Sequence, residues 1–190
     1  MKKLTALLIA LMTAVSCVPF ALAEGTAEPT SHILVVYFSA TGTTRGVAEK
    51  LAEGLSADLY EIVPEEPYTD ADLNYNDSGS RTSIETDDPA CRPAIAGELP
   101  DLTPYDTVFI GYPIWWGDTP RIVSNFVEQV DLTGKTLAVF FTSGSSGLGS
   151  SMKHLEQQSG AGEWLEGKRF TDRTTMEELA DWAGSLGIEP

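Results

Sequence analysis

Cysteine and histidine are scarce in this 190-residue chain, which has two of each. The cysteines are Cys17 and Cys91, and Cys17 falls in a leader-like segment. If that segment is removed, Cys91 stands alone and no internal disulfide can form. His32 and His154 are too few and too far apart to suggest a zinc site, so no metal is expected. Basic side chains are also few, 12 against 28 acidic ones, for a formal charge of −16. Such a chain is a poor partner for nucleic acid. Its negative field suits solubility and the steering of basic proteins. Beyond the N-terminus no apolar run is long enough to span a membrane. Gly134-Lys135-Thr136 lacks the upstream glycine of a P-loop. No G-x-S-x-G motif points to a hydrolase. No catalytic acid or base stands out.

The first residues read as a secretory signal. Lys2 and Lys3 precede an apolar run from Leu4 to about Phe20, and Ala21-Leu22-Ala23 supplies an A-x-A cleavage site before Glu24. The domain reading is therefore a signal peptide over 1–23, a polar linker over 24–31 and one domain over 32–190. The expected location is periplasmic or extracellular. Ala14-Val15-Ser16-Cys17 partly matches a lipoprotein box, although its first position is Ala rather than a branched residue. Anchoring to a membrane through Cys17 is thus a second reading, and the only one that involves a membrane. Removal of the leader leaves ten basic side chains against 28 acidic ones.

The rest of the chain alternates between strand and helix patterns. HILVVYF at 32–38 is a continuous apolar run, as expected of a strand covered on both faces. Similar runs lie at 58–63, 107–112, 136–141 and, more weakly, 164–170. Helical spacing appears at 44–55, 120–130 and 151–157. Thr119 is the expected N-cap of the second of these, with Pro120 at its first position. A final helix is expected to open on a Thr174–Glu177 capping box and to bury Met176, Leu179, Ala180, Ala183 and Leu186. This alternation predicts a parallel sheet with helices on both faces. The proline-rich stretch 65–103 breaks the rhythm, and a short helix near Ala94–Leu99 would complete its crossover. A loop of that length is usually functional.

In an open α/β sheet, ligands bind at the carboxyl ends of strands near the switch in strand order. Three loops there carry chemistry. Ser39-Ala40-Thr41-Gly42-Thr43-Thr44 joins the first strand to a helix. Helix amides and hydroxyls make a phosphate cradle, and Gly42 lets the backbone approach an anion. After the third strand come Pro113-Ile114-Trp115-Trp116-Gly117, whose indoles can stack on a flat ring. After the fourth come Thr142-Ser143-Gly144-Ser145-Ser146-Gly147, rich in backbone donors for a polar ring edge. Together they describe a site for a phosphorylated planar heterocycle.

These motifs resemble those of the flavodoxin-like family. Ser39–Thr44 is similar to its phosphate signature, and Gly111-Tyr112-Pro113-Ile114-Trp115-Trp116-Gly117 to the second flavin loop of a bacterial exported subfamily. Thr142-Ser143-Gly144, Tyr75-Asn76-Asp77 and Arg92-Pro93 fit as well. The resemblance implies an α/β three-layer sandwich whose five-stranded parallel sheet has the order 2-1-3-4-5. It implies FMN as cofactor, with its phosphate on Ser39–Thr44. Pro113–Gly117 would then pack on the isoalloxazine, Thr142, Ser143, Gly144 and Gly147 would line the ring edge, and Tyr75 would approach from the long loop. The function implied is electron transfer or flavin-dependent reduction outside the cytoplasm, with a redox protein or a small acceptor such as a quinone as partner. An exported interaction module without redox activity is the alternative. The pattern of covalent flavinylation is not evident. Two lysines without a twin arginine imply export before folding, so flavin would be met outside. An acidic surround disfavours an anionic reduced flavin, which implies a reduction potential below that of free FMN.

Overall fold

The computed structural model describes residues 32–189. The signal peptide, the linker and Cys17 lie outside the described residues. The elements run β1 (Ile33–Tyr37), α1 (Thr43–Leu55), β2 (Asp58–Glu61), α2 (Arg81–Asp87), β3 (Thr107–Pro113), α3 (Arg121–Gln129), β4 (Thr136–Thr142), α4 (Ser151–Ser159), β5 (Glu163–Trp164), β6 (Lys168–Phe170) and α5 (Met176–Ser185).

All strand pairings in the sheet are parallel, in the order β2-β1-β3-β4-β5, with β6 also on β4. This is the 2-1-3-4-5 order implied by the resemblance. The expected fifth strand is split. Its first half pairs at Thr136 and Leu137, its second at Phe140 to Thr142. Gly167 sits in the gap, where a Cβ would lie 3.2 Å from the Val139 carbonyl oxygen.

Side chains of β1, β3 and β4 alternate between two apolar layers. Leu34, Val36, Val108, Ile110, Val139 and Phe141 join Ile122 and Phe126 of α3 and Leu155 of α4. Val35, Tyr37, Phe109 and Phe140 join Val47 and Leu51 of α1 and Leu179 and Trp182 of α5. Burial on both faces explains why these strands read as unbroken apolar runs. Gly111 is required for this packing, because a Cβ there would sit 2.0 Å from the Phe140 ring.

Four local expectations shift. The capping box of α5 is Thr175–Glu178, one residue on from Thr174–Glu177. The buried face of that helix is Leu179, Trp182 and Ala183, while Met176 is exposed. The N-cap of α3 is Pro120 rather than Thr119. The helix of the long stretch is α2, not 94–99. Ser80 caps it by accepting from the Ser83 amide. Residues 94–96 instead run beside 63–65, with Glu65 N–H donating to Ala94 O (2.9 Å) and Ala96 N–H to Val63 O (2.8 Å). Gly97 follows at φ 78°, a left-handed conformation that would break a helix.

Candidate functional site

A hollow of about 690 Å³ opens at the carboxyl ends of β1, β3, β4 and β6. Its floor begins where β1 ends. The Gly42 amide donates to Ser39 Oγ (3.1 Å), and Gly42 takes φ 88°, so the chain turns sharply into α1. No side chain caps α1. The first amides of a helix have no partner within it, and here they open beside Ser39, Ala40, Thr41 and Thr43 on the wall of the hollow. Thr44 is buried, and its Oγ1 lies 2.8 Å from Thr142 Oγ1. That bond ties the first loop to the end of β4.

The loop after β3 makes a two-residue turn. Trp115 and Asp118 exchange backbone hydrogen bonds of 3.0 and 2.9 Å. Trp116 and Gly117 between them have φ 52° and 77°. Two successive positive φ values define a type I′ turn. Glycine adopts this freely, whereas tryptophan does so under strain. The turn sends the two indoles apart. Trp115 is 3% exposed and packs edge-on against Phe38 and Tyr68. It still contributes to the wall with Pro113 and Ile114. Trp116 is 48% exposed and meets Tyr75 edge-on at 5.6 Å between ring centres. The base of the turn is fixed by the Asp118 carboxylate, which accepts from the Thr119 amide (2.8 Å) and pairs with His154 (3.0 Å) and Arg121 (3.3 Å).

The end of β4 and the loop after it bring Thr142, Ser143 and Gly144 to the wall. The Ser143 hydroxyl donates to the Ser146 carbonyl. Gly42, Trp116, Gly117 and Gly147 are not themselves wall residues. Gly117 touches the β4 loop instead, since a Cβ at Gly149 would meet its carbonyl at 2.9 Å.

Six wall residues escaped the sequence reading. Asp70 and Leu73 join Tyr75 from the long loop, and Arg169, Phe170, Thr171 and Asp172 follow or end β6. Four of the six obey the rule that located the other loops, applied to the last strand, whose pattern was weak. Lys50 of α1 holds this segment by donating to Asp172 O (3.1 Å) and Thr174 O (2.9 Å). The long loop is anchored beneath the site by Tyr68, whose hydroxyl donates to Glu85 (2.7 Å). Arg81 pairs with the same carboxylate (2.6 Å) and lies 4.0 Å over the Tyr68 ring. Burial, then Glu85, pushes the Tyr68 phenol well up. Burial pushes Tyr75 up as well. Cys91 is partly buried, off the wall, and its thiol is pushed up chiefly by burial, which suppresses the reactive thiolate. Among the described residues no cluster fit to hold a metal occurs.

The hollow suits FMN. Its volume falls in the ~300–1,000 Å³ range of small-molecule sites. The uncapped helix amides can take the phosphate. Gly42 has open space around it, and the aromatic rim and the β4 loop share the wall of the hollow with the cradle.

Residues 32–186 match the flavodoxin family. A candidate flavoprotein from Bacteroides eggerthii is 45% identical, with a TM-score of 0.78, and the match covers 83% of this chain and 98% of that one. A second from Bacteroides uniformis is 41% identical, with a TM-score of 0.76 and coverage of 80% and 97%. A flavoprotein from Lactobacillus acidophilus, solved in complex with FMN, shares the fold at 23% identity, with a TM-score of 0.62 and coverage of 80% and 97%. No curated protein matches the chain.

Proposed function

Because this chain belongs to the flavodoxin family, we propose that it binds FMN in the hollow and serves in electron transfer or flavin-dependent reduction outside the cytoplasm. The observation that carries the reading is the uncapped start of α1, open on the same hollow as an aromatic rim and a donor-rich loop. In this reading the first amides of α1 and the hydroxyls of Ser39, Thr41 and Thr43 hold the phosphate. Thr44, also on the wall, locks the cradle to β4 through Thr142. Pro113, Ile114 and Trp115 form a rigid wall, and Trp116 with Tyr75 closes the outer side. Thr142, Ser143 and Gly144 meet the polar ring edge.

The bound flavin supplies the redox chemistry, accepting single electrons or a hydride. The protein's residues bind it, orient it and limit its contact with water. Tyr75 and Trp116 remain half-exposed, which supports a ring edge accessible to a redox protein or to a small acceptor such as a quinone. Export rests on the Lys2–Ala23 pattern. Fractionation of cells producing the full chain tests it: recovery of unprocessed protein in the cytoplasm would count against it. Oxidation of NAD(P)H by the FMN-loaded protein distinguishes a reductase from a carrier. Purified protein that takes up no FMN would favour the interaction module instead.

A further inference from the structure

Among the described residues, Arg169 is the one cationic side chain on the wall of the hollow. In so acidic a chain a carboxylate partner is expected, yet the ion pairs of the described residues do not include Arg169. Its donors go to backbone. Nη2 donates to Ser143 O (2.9 Å) and Gly144 O (2.7 Å), and Nε donates to Ser143 O (3.3 Å). β6 places it there, because Arg169 pairs with Phe141, just before the loop leaves β4.

In a trans peptide the carbonyl and the following N–H point in opposite directions, and no cis bond occurs among the described residues. Carbonyls of Ser143 and Gly144 turned to the guanidinium therefore turn the amides of Gly144 and Ser145 the other way. Neither amide has an acceptor among the described residues, and Gly144 lies on the wall. The serine–glycine loop thus presents two free donors, one of them on the wall residue Gly144.

We propose that Arg169 is a positioning residue that clamps the β4 loop so that the Gly144 and Ser145 amides face the carbonyl-bearing edge of the bound flavin ring. This rests on the FMN reading above. The guanidinium also brings positive charge to that edge, opposing the acidic surround. The reduction potential therefore lies above the value that the net charge alone implies.

Three variants separate geometry from charge. Arg169→Gln removes both. Arg169→Lys keeps the charge but cannot bridge two carbonyls with a rigid fork. Arg169→Ala guards against new bonds made by Gln. Affinities for FMN and riboflavin, the midpoint potential, and amide NMR of the flavin-free protein are measured. In Arg169→Gln and Arg169→Ala, FMN and riboflavin both weaken by the same factor, ~10-fold or more, as befits loss of charge-assisted bonds. The Gly144 and Ser145 resonances broaden or shift without flavin, and the potential falls. Arg169→Lys restores the potential but not the affinity. Weakening of FMN alone would make Arg169 a phosphate ligand and overturn the clamp. Unchanged affinity for both ligands, or unchanged amide resonances, would overturn it too while leaving the FMN reading intact. Wild-type protein that binds neither flavin would overturn the FMN reading itself, and with it this role for the amides.

Discussion

Trp115 and Trp116 are adjacent in the chain and unlike in every physical respect. Trp115 is core, gripped by Phe38 and Tyr68. Replacing it by Ala opens a cavity, and a loss of ~3–5 kcal/mol in urea unfolding is expected. Trp116 is half-exposed in a left-handed conformation. Trp116→Gly relieves ~1–2 kcal/mol of backbone strain. It also adds freedom to the unfolded chain and loses the Tyr75 contact. The net change in stability is expected to stay within ~1 kcal/mol. Its effect falls on the ligand, with FMN binding weakened ~2- to 10-fold, the worth of one aromatic contact. If Trp116→Gly unfolds the protein as readily as Trp115→Ala, this division of labour is wrong. The sequence placed both indoles at the ligand edge, since a Trp-Trp pair between prolines signals an aromatic turn. It could not say which ring points inward, because that is decided by Phe38 and by Tyr68, thirty residues further along the chain.

At the scale of elements, legibility followed the kind of surface each element buries. β1, β3 and β4 bury hydrocarbon on both sides, so their runs marked them. α2 was invisible because it buries Thr82, Ser83 and Glu85 rather than an apolar stripe. Their hydrogen bonds to Asp72, Asp77 and Tyr68 hold it in place, and hydropathy periodicity has nothing to detect. The stretch 94–99 reads as a short helix in the sequence because the partner of 94–96, residues 63–65, lies thirty residues away. Two substitutions probe this level. Gly111→Ala forces a methyl into the Phe140 ring, and destabilisation of at least ~1–3 kcal/mol by thermal melting is expected. Thr175→Ala removes the bond that the Thr175 hydroxyl accepts from the Glu178 amide, leaving the backbone half of the α5 capping box, and should cost ~1 kcal/mol. A larger loss than at Gly111 would mean that α5 carries more of the fold than its packing indicates.

For the molecule as a whole, the distribution of charge and of phenols sets its response to pH. Each of the six tyrosines is pushed up, with burial the largest cause. Tyr37, Tyr105 and Tyr112 reach about 12 from an ordinary 10.0. The folded state holds these protons more tightly than the unfolded chain. Their stabilising contribution is therefore complete below pH 10 and is lost as pH rises toward 12. Alkaline titration should show phenolate absorbance rising late and together with unfolding. Independent titration near 10 in a folded protein would refute this. The net charge of −16 also repels an anionic ligand. Salt screens that repulsion over ~8–10 Å, so FMN association should speed up as ionic strength rises while riboflavin association barely changes.

The central claim is that the uncapped start of α1 seats a phosphate while the aromatic rim and β4 loop hold the attached ring. Equilibrium titration of the purified protein with FMN and with riboflavin, followed by quenching of flavin and tryptophan fluorescence, tests it most directly. The expected result is mutual quenching by FMN, with riboflavin weaker by ~10-fold or more for loss of charge-assisted phosphate bonds. Equal affinity for the two would remove the phosphate from the α1 cradle, and no quenching at micromolar FMN would contradict the account outright.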